Sequence, residues 1–263
     1  RVFDNIFQCG AGDTSDVERL YNDRQMNYNR TPQPNGVGVA PAQLLVNFMD
    51  NHDVSRFLYG MNRTVAANIF ADSRRDCSSG VINAHTPAEI NRFRPRLHAA
   101  LTYLLMEDGI PCLYYGTEQE FDGGNDPSNR ERMWETGFDT TNATFRHVRA
   151  LTTLRQKYQA LRRGNFVVRW TTRNTGNEQD AGMLAFERVD GTNSALVVIH
   201  AKDGTAETAN GSTAMVVSAP PGTELVNQLG GMPRTVTVGA NGTVTVSLGA
   251  WQSAVFVPRS QVR

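Results

Sequence analysis

The chain has 263 residues, room for one large domain or two ordinary ones around a sizeable core. Its 26 Lys and Arg balance 26 Asp and Glu, so no overall field recruits nucleic acid or an anionic membrane. Apolar residues make up 40 % of it, and no apolar run approaches the length of a membrane-spanning helix.

The chain opens at Arg1 with neither a methionine nor a leader-like segment, which reads as a processed, nicked or truncated terminus. The opening "RVFDNIF" is the nearest thing to a first strand. "SDVERLYNDRQMNYN" follows, with a capping box from Ser15 to Glu18 and with Val17, Leu20 and Tyr21 on one helical face. "PAQLLVNF" reads as a buried strand that ends in the polar cluster Asp50-Asn51-His52-Asp53. Thr86 to Glu89 forms a second capping box with Pro87 at the first helical position. The helix it opens carries Ile90, Phe93, Leu97, Leu101 and Leu104 along one stripe. "GIPCLYY" is the next apolar strand, with Cys112 as a small buried hydrophobe. "ATFRHVRALTTLRQKYQALRRG" is an amphipathic helix closing at Gly164. Strand and helix alternating at these spacings predict βα units on a parallel sheet.

After Gly164 the apolar period falls to two. "FVVRW", "GMLAFERV", "ALVVIH", "TAMVVS", "RTVTV", "TVTVSL" and "SAVFVP" are strand-like, separated by turn pairs such as Asp190-Gly191 and Asn241-Gly242. Seven or eight such strands predict an antiparallel sandwich of about a hundred residues. Trp170 and Trp251 fall inside strand patterns and read as core, and His200 as a structural or surface histidine. Cys9 and Cys77 lie in polar segments where a bridge between them is one open alternative. No Cys/His spacing matches a zinc site.

Functional groups in parallel α/β folds emerge at the carboxyl ends of strands. Two stretches meet that condition. The first is "VNFMDNHDVSRF", which places Asn51, His52 and Asp53 at such an edge. The second is "GIPCLYYGTEQEFDGGNDPSNRERMW", where Asp126 and Arg130 bracket a proline turn and pair a carboxylate acceptor with a planar donor fork. Taken singly, each also fits an ordinary capped loop or a surface ion pair.

Together and in this order, these stretches resemble the α-amylase superfamily, glycoside hydrolase family 13, and within it the α-amylases and cyclodextrin glucanotransferases. The resemblance implies that residues 1–163 are the C-terminal part of a catalytic (β/α)8 TIM barrel and that 164–263 are the antiparallel β-sandwich called domain C. It implies the transition-state-stabilising role for Asp53, and contacts to the same sugar from His52 with Asn51 in support. Asp126 and Arg130 correspond to residues holding glucose units further from the cut, and Glu118 to a brace of the strand–loop junction. The implied reaction is retaining hydrolysis of α-1,4 bonds in starch or maltooligosaccharides, with α-glucan transglycosylation as the alternative.

The family's nucleophile motif GxRxD and acid/base motif GEx do not occur in these residues. The resemblance therefore implies that this chain supplies the stabiliser and donor subsites while the missing N-terminal part of the barrel is a further segment or partner. Isolated, the chain is expected to be inactive. Calcium belongs to the complete family enzyme, and no metal ligand is assigned here. A secreted, extracellular location fits a polymeric substrate. The segment from Tyr59 to His85, with Asn62 and Arg63, extends the acceptor side or is a surface elaboration. A non-catalytic scaffold and a carbohydrate-binding sandwich are the competing classes.

Overall fold

A computed structural model describes residues 2–28, 40–61, 85–124 and 126–263. Asn62, Arg63 and Cys77 lie outside the described residues. Cys9 is disulfide-bonded and Cys112 is free.

The opening segment is not a strand. Asp4–Gln8 is a helical turn with a wide, i to i+5 bond from Cys9 N to Asp4 O. Helical spacing explains the difference: it sets Phe3 beside Phe7, with ring centroids 5.0 Å apart, and buries Ile6 on the same side. Helix α1 (Ser15–Asn27) then runs without the expected Ser15–Glu18 box. Asp13 Oδ1 instead accepts from Ser15 N and Oγ at 2.9 and 2.7 Å. The cap residue Thr14 is fully buried, donates to Met183 O at 2.7 Å and accepts from Thr172 N at 2.9 Å. Its hydroxyl ties the helix to the second half of the chain rather than capping it.

Strands β1 (Val46–Asn47) and β2 (Ile110–Pro111) pair in parallel, Val46 opposite Ile110. Helix α2 (Pro87–Met106) connects them, so this is one βαβ unit. Both strands are shorter than the apolar runs predict. Pro41 opens a 3₁₀ turn over Pro41–Leu44, and Pro111 has no amide to continue the ladder. The strands are also not buried: Leu44, Val46, Phe48 and Ile110 are 44–56 % exposed, and Cys112 is exposed.

The Thr86–Glu89 capping box forms, with Thr86 N donating to Glu89 Oε2 at 2.8 Å and Glu89 N to Thr86 Oγ1 at 3.3 Å. Phe93, Leu97, Leu101 and Leu104 of α2 are buried. The closing helix divides into α3 (Ala143–Lys157) and α4 (Ala160–Arg163).

From Asn165 onward the chain is antiparallel. Strands β3 (Asn165–Trp170), β4 (Met183–Asp190), β5 (Asn193–His200), β6 (Ala206–Glu207), β7 (Ala209–Asn210) and β8 (Thr213–Val216) come first. Then follow β9 (Glu224–Asn227), β10 (Thr235–Thr237), β11 (Thr243–Val244), β12 (Ser247–Leu248) and β13 (Ser253–Pro258). One sheet has the order β10-β9-β13-β5-β4-β3; smaller sheets β11-β8-β7 and β12-β6 cover one of its faces. The β4–β5 turn at Asp190-Gly191 has Gly191 at φ +59°, the left-handed conformation such a hairpin needs. Trp251 is buried, and its indole donates to Asp203 at 2.7 Å. His200 is buried, with Nδ1 2.8 Å from Gly249 O.

The central strands are buried on both faces. Met183, Ala185, Leu196, Val198, Ala254 and Phe256 pack inside the sandwich against Met215, Val244, Val246 and Leu248. Their neighbours Leu184, Phe186, Val197, Ile199, Val255 and Val257 face the other way and share one cluster with Phe7, Leu97, Leu101, Tyr103 and Leu151. Fully buried Arg188 on β4 completes the junction. It donates to Gly164 O at 2.9 Å, to Met106 O at 3.0 Å and to Glu107 O. Arg155 donates to Leu105 O at 2.8 Å and Gly109 O at 2.9 Å. Two guanidinium groups thus satisfy the carbonyls left open at the end of α2.

Candidate functional site

The carboxyl end of β1 lies where that of β2 lies, as parallel pairing requires. Both strands run out there into polar loops. Asp50, the first acid after β1, turns inward: it is 2 % exposed and accepts from Phe57 N at 3.0 Å and Thr117 Oγ1 at 3.1 Å. Burial pushes its carboxyl above the ordinary range. Asp50 therefore folds the turn and does not join the outward-facing polar cluster that the sequence implied.

The next residues turn outward. Asn51 Oδ1 accepts from Asp53 N at 2.8 Å, an Asx turn that reverses the chain. His52 Nε2 stands 3.3 Å from Asp53 Oδ1, and these side chains are 63 % and 69 % exposed. A carboxylate beside an imidazole and open to solvent can accept from hydroxyls and stabilise positive charge.

The loop after β2 comes back to this turn. Asp126 and Arg130 pair at 2.9 Å across a cis Asp126-Pro127 bond, both half exposed. Arg130 also donates to His52 O at 3.4 Å. Between them Asn129 is fully buried, and its Nδ2 donates to Val54 O at 2.7 Å and Asn51 O at 3.2 Å. The structure thus brings together Asn51, His52, Asp53, Asp126 and Arg130. Glu118 stays apart, accepting from Gly116 N at 2.9 Å within its own turn.

Beneath the surface lies a layer the motif spacing did not isolate. Arg56 is fully buried between Glu131 Oε2 at 2.9 Å and Tyr115 O at 2.7 Å, and its guanidinium carbon sits 4.0 Å from the Tyr114 ring centroid. Glu131 Oε1 accepts from Asp122 N at 2.7 Å and Gly123 N at 2.5 Å. The arginine thereby cross-links the β1 turn to the β2 loop. A cation placed just before Phe57-Leu58 was the available signal, because such a group needs a fixed partner. His85 Nδ1 bonds Asp122 Oδ1 at 2.7 Å and supports the same loop. Among the described residues no three His, Cys, Asp or Glu side chains group closely enough to hold a metal ion, and no helix is long and apolar enough to cross a membrane.

The relatives and structural neighbours of this chain are α-amylases and cyclodextrin glucanotransferases of the α-amylase superfamily, glycoside hydrolase family 13, and the chain is similar to a C-terminal region of these enzymes. No family model matches the chain. Its relatives include the cyclomaltodextrin glucanotransferase of Bacillus sp. strain 38-2, 31 % identical over 202 residues, covering 76 % of this chain and 22 % of that enzyme. The β/α-amylase of Paenibacillus polymyxa is 29 % identical over 239 residues, covering 91 % of this chain and 16 % of that protein. Among solved structures, an Anoxybacillus α-amylase superposes with a TM-score of 0.66 at 25 % identity, covering 94 % of this chain and 43 % of that one. The γ-cyclodextrin glucanotransferase of Bacillus clarkii shares the fold, with a TM-score of 0.67 at 23 % identity, covering 97 % and 30 %. The chain thus spans about a fifth of these curated relatives and less than half of these solved chains.

Proposed function

We propose that this chain is the C-terminal part of a (β/α)8 barrel with its domain C, and that it acts in retaining cleavage of α-1,4 bonds in starch or maltooligosaccharides. The supporting observation is the exposed His52–Asp53 pair at the carboxyl edge of a parallel strand, bound from behind by the loop that presents Asp126 and Arg130. In this reading Asp53 holds hydroxyls of the sugar being cleaved and stabilises its oxocarbenium-like transition state. His52 bonds the same ring and Asn51 sets the turn. Asp126 and Arg130 bind a glucose unit further along the donor chain.

Retaining cleavage also requires a nucleophilic carboxylate and an acid/base carboxyl about 5 Å apart. The proposal assigns both to barrel segments outside these residues, so this chain by itself has no turnover. Calcium, where a complete enzyme carries it, is assigned to those segments as well. An oxidising, extracellular setting is supported by the disulfide at Cys9. A second reading, α-glucan transglycosylation, is favoured by the glucanotransferase relatives.

The test has two arms. This chain alone, incubated with soluble starch, is expected to release no reducing ends; turnover of ~1 s⁻¹ or faster, within the ordinary enzymatic range, would overturn the assignment. Intact mass and N-terminal sequencing of the protein from its source then establish whether GxRxD and GEx segments accompany it. With them present, Asp53→Asn is expected to lower kcat on maltoheptaose by about 10³-fold. Cyclic rather than linear products would select the second reading.

A further inference from the structure

The turn bearing His52 and Asp53 is exposed, yet the backbone on either side of it is pinned from inside. The pinning group is Asn129. Its Nδ2 spans Asn51 O at 3.2 Å and Val54 O at 2.7 Å, the two carbonyls that bracket His52 and Asp53. The side chain is completely buried, whereas Arg130, the next residue, is exposed and touches His52 O at a longer 3.4 Å. Asn129 Oδ1 is buried with no hydrogen-bond partner. A buried amide oxygen left unmatched is a standing cost to stability. Carrying it makes sense where both amide hydrogens are needed on two carbonyls at once, which no hydroxyl or carboxylate can supply.

We propose that Asn129 is a positioning residue for Asp53. Its paired N–H bonds fix the orientation in which the turn presents the Asp53 carboxylate, and they make that orientation depend on the loop that carries Asp126 and Arg130. Filling the donor side and aligning the stabilising carboxylate are then one structural event. This inference rests on the role given to Asp53 above.

Two substitutions in the complete enzyme test it. Asn129→Ala removes both donors; kcat on maltoheptaose is expected to fall about 10- to 100-fold, as small misplacements at a reacting centre do, with KM changed less than about threefold. Asn129→Asp sets a carboxylate against two carbonyls, where it cannot donate, while its protonated form donates one bond. Burial raises that carboxyl into the measurable range, so the Asp variant should regain kcat as pH falls, relative to the unsubstituted enzyme at the same pH. The Ala variant should show no such recovery. Circular dichroism at each pH separates these effects from unfolding.

A kcat within twofold of the parent for Asn129→Ala, or the same pH profile for both variants, would overturn the proposal. Asp53→Asn is the control for the reading beneath it. If that substitution leaves activity intact, the role of Asp53 fails; if it abolishes activity while Asn129→Ala does not, only the positioning role fails.

Discussion

Strands β1 and β5 come from stretches that read alike, "LLVNFMD" and "ALVVIH", yet they end in opposite surroundings. Val197, Val198 and Ile199 are completely buried, while Val46 and Phe48 are 56 % and 53 % exposed. Strand β5 has hydrogen-bonded neighbours on both sides and packed layers on both faces. Among the described residues, strand β1 has β2 alone. An apolar run states what a strand needs, and the neighbours decide whether it is met. The sandwich meets its needs from within these residues. The βαβ unit is held mainly through its helix, which packs on the far face of the sandwich sheet.

If that contrast is right, the heaviest losses come from the junction. Arg188→Met removes a buried guanidinium from the carbonyls of Gly164, Met106 and Glu107 and from Asp108 Oδ1 at 3.5 Å. A loss of about 3–5 kcal/mol is expected from urea unfolding, since several buried acceptors lose this donor at once. A loss below about 1 kcal/mol would mean that the halves do not depend on this residue. Phe186→Ala ranks next. Phe186 is fully buried, stacks on Phe166 at 4.5 Å and meets Tyr103 edge-on at 5.9 Å. It lies in the cluster common to both halves, so about 3–4 kcal/mol should be lost in one cooperative transition. Two separate transitions would show the halves to be independent.

How much of this could be read beforehand follows the distance between partners. The Thr86–Glu89 cap, the Asp190-Gly191 hairpin and the stripe on α2 rest on neighbours in sequence, and they were legible. The placing of the Asn51-His52-Asp53 turn and of the loop with Asp126 and Arg130 at strand ends was legible too, while their shared site came only through the family resemblance. Asn129, Arg56 and Arg188 were not, because what defines each is a carbonyl or carboxylate about 75–82 residues away. The Ser15–Glu18 cap was misread, because the residue at the helix start is Thr14 and its hydroxyl donates to distant Met183. Strand β9 was missed because "ELVN" is too short to show a period.

Within the half before Gly164, buried groups respond to pH in opposite directions. His98 on α2 and His147 on α3 stack at 4.3 Å. Burial, then the neighbouring imidazole and Arg94, hold His98 down at about 3, and burial holds His147 at about 4. Both values are depressed below the unfolded 6.5, so the unfolded chain binds more protons between them. Their contribution is present above pH 6.5 and is lost as pH falls toward 4, at up to about 1.4 kcal/mol per unit for each ring. Glu107 has the opposite sign. Burial outweighs Arg24 and raises it to about 7, so its contribution is present below pH 4.5 and fades as pH rises through 7. The histidine contribution is the larger between pH 5 and 7.5, so the parent should have its higher urea midpoint at pH 7.5, and a His98→Gln, His147→Gln double variant, left with Glu107 alone, should have its higher midpoint at pH 5. An unchanged difference would place the acid sensitivity elsewhere.

The smallest effect returns to the exposed strand. Phe48→Ser replaces a ring that is more than half solvent-exposed. A surface change of this kind normally shifts stability by no more than about 0.5 kcal/mol, and that is the expectation for this chain in urea. The same substitution becomes costly wherever another strand lies along β1, because the ring would then be buried on both sides, at about 3 kcal/mol or more. Comparing Phe48→Ser here and in the complete enzyme thus measures directly what covers this edge. A loss above about 1 kcal/mol in the 263-residue chain would mean that the edge is already covered and that β1 and β5 are not as different as they look. A negligible loss in both would leave the barrel without the neighbouring strand that the proposed function gives it.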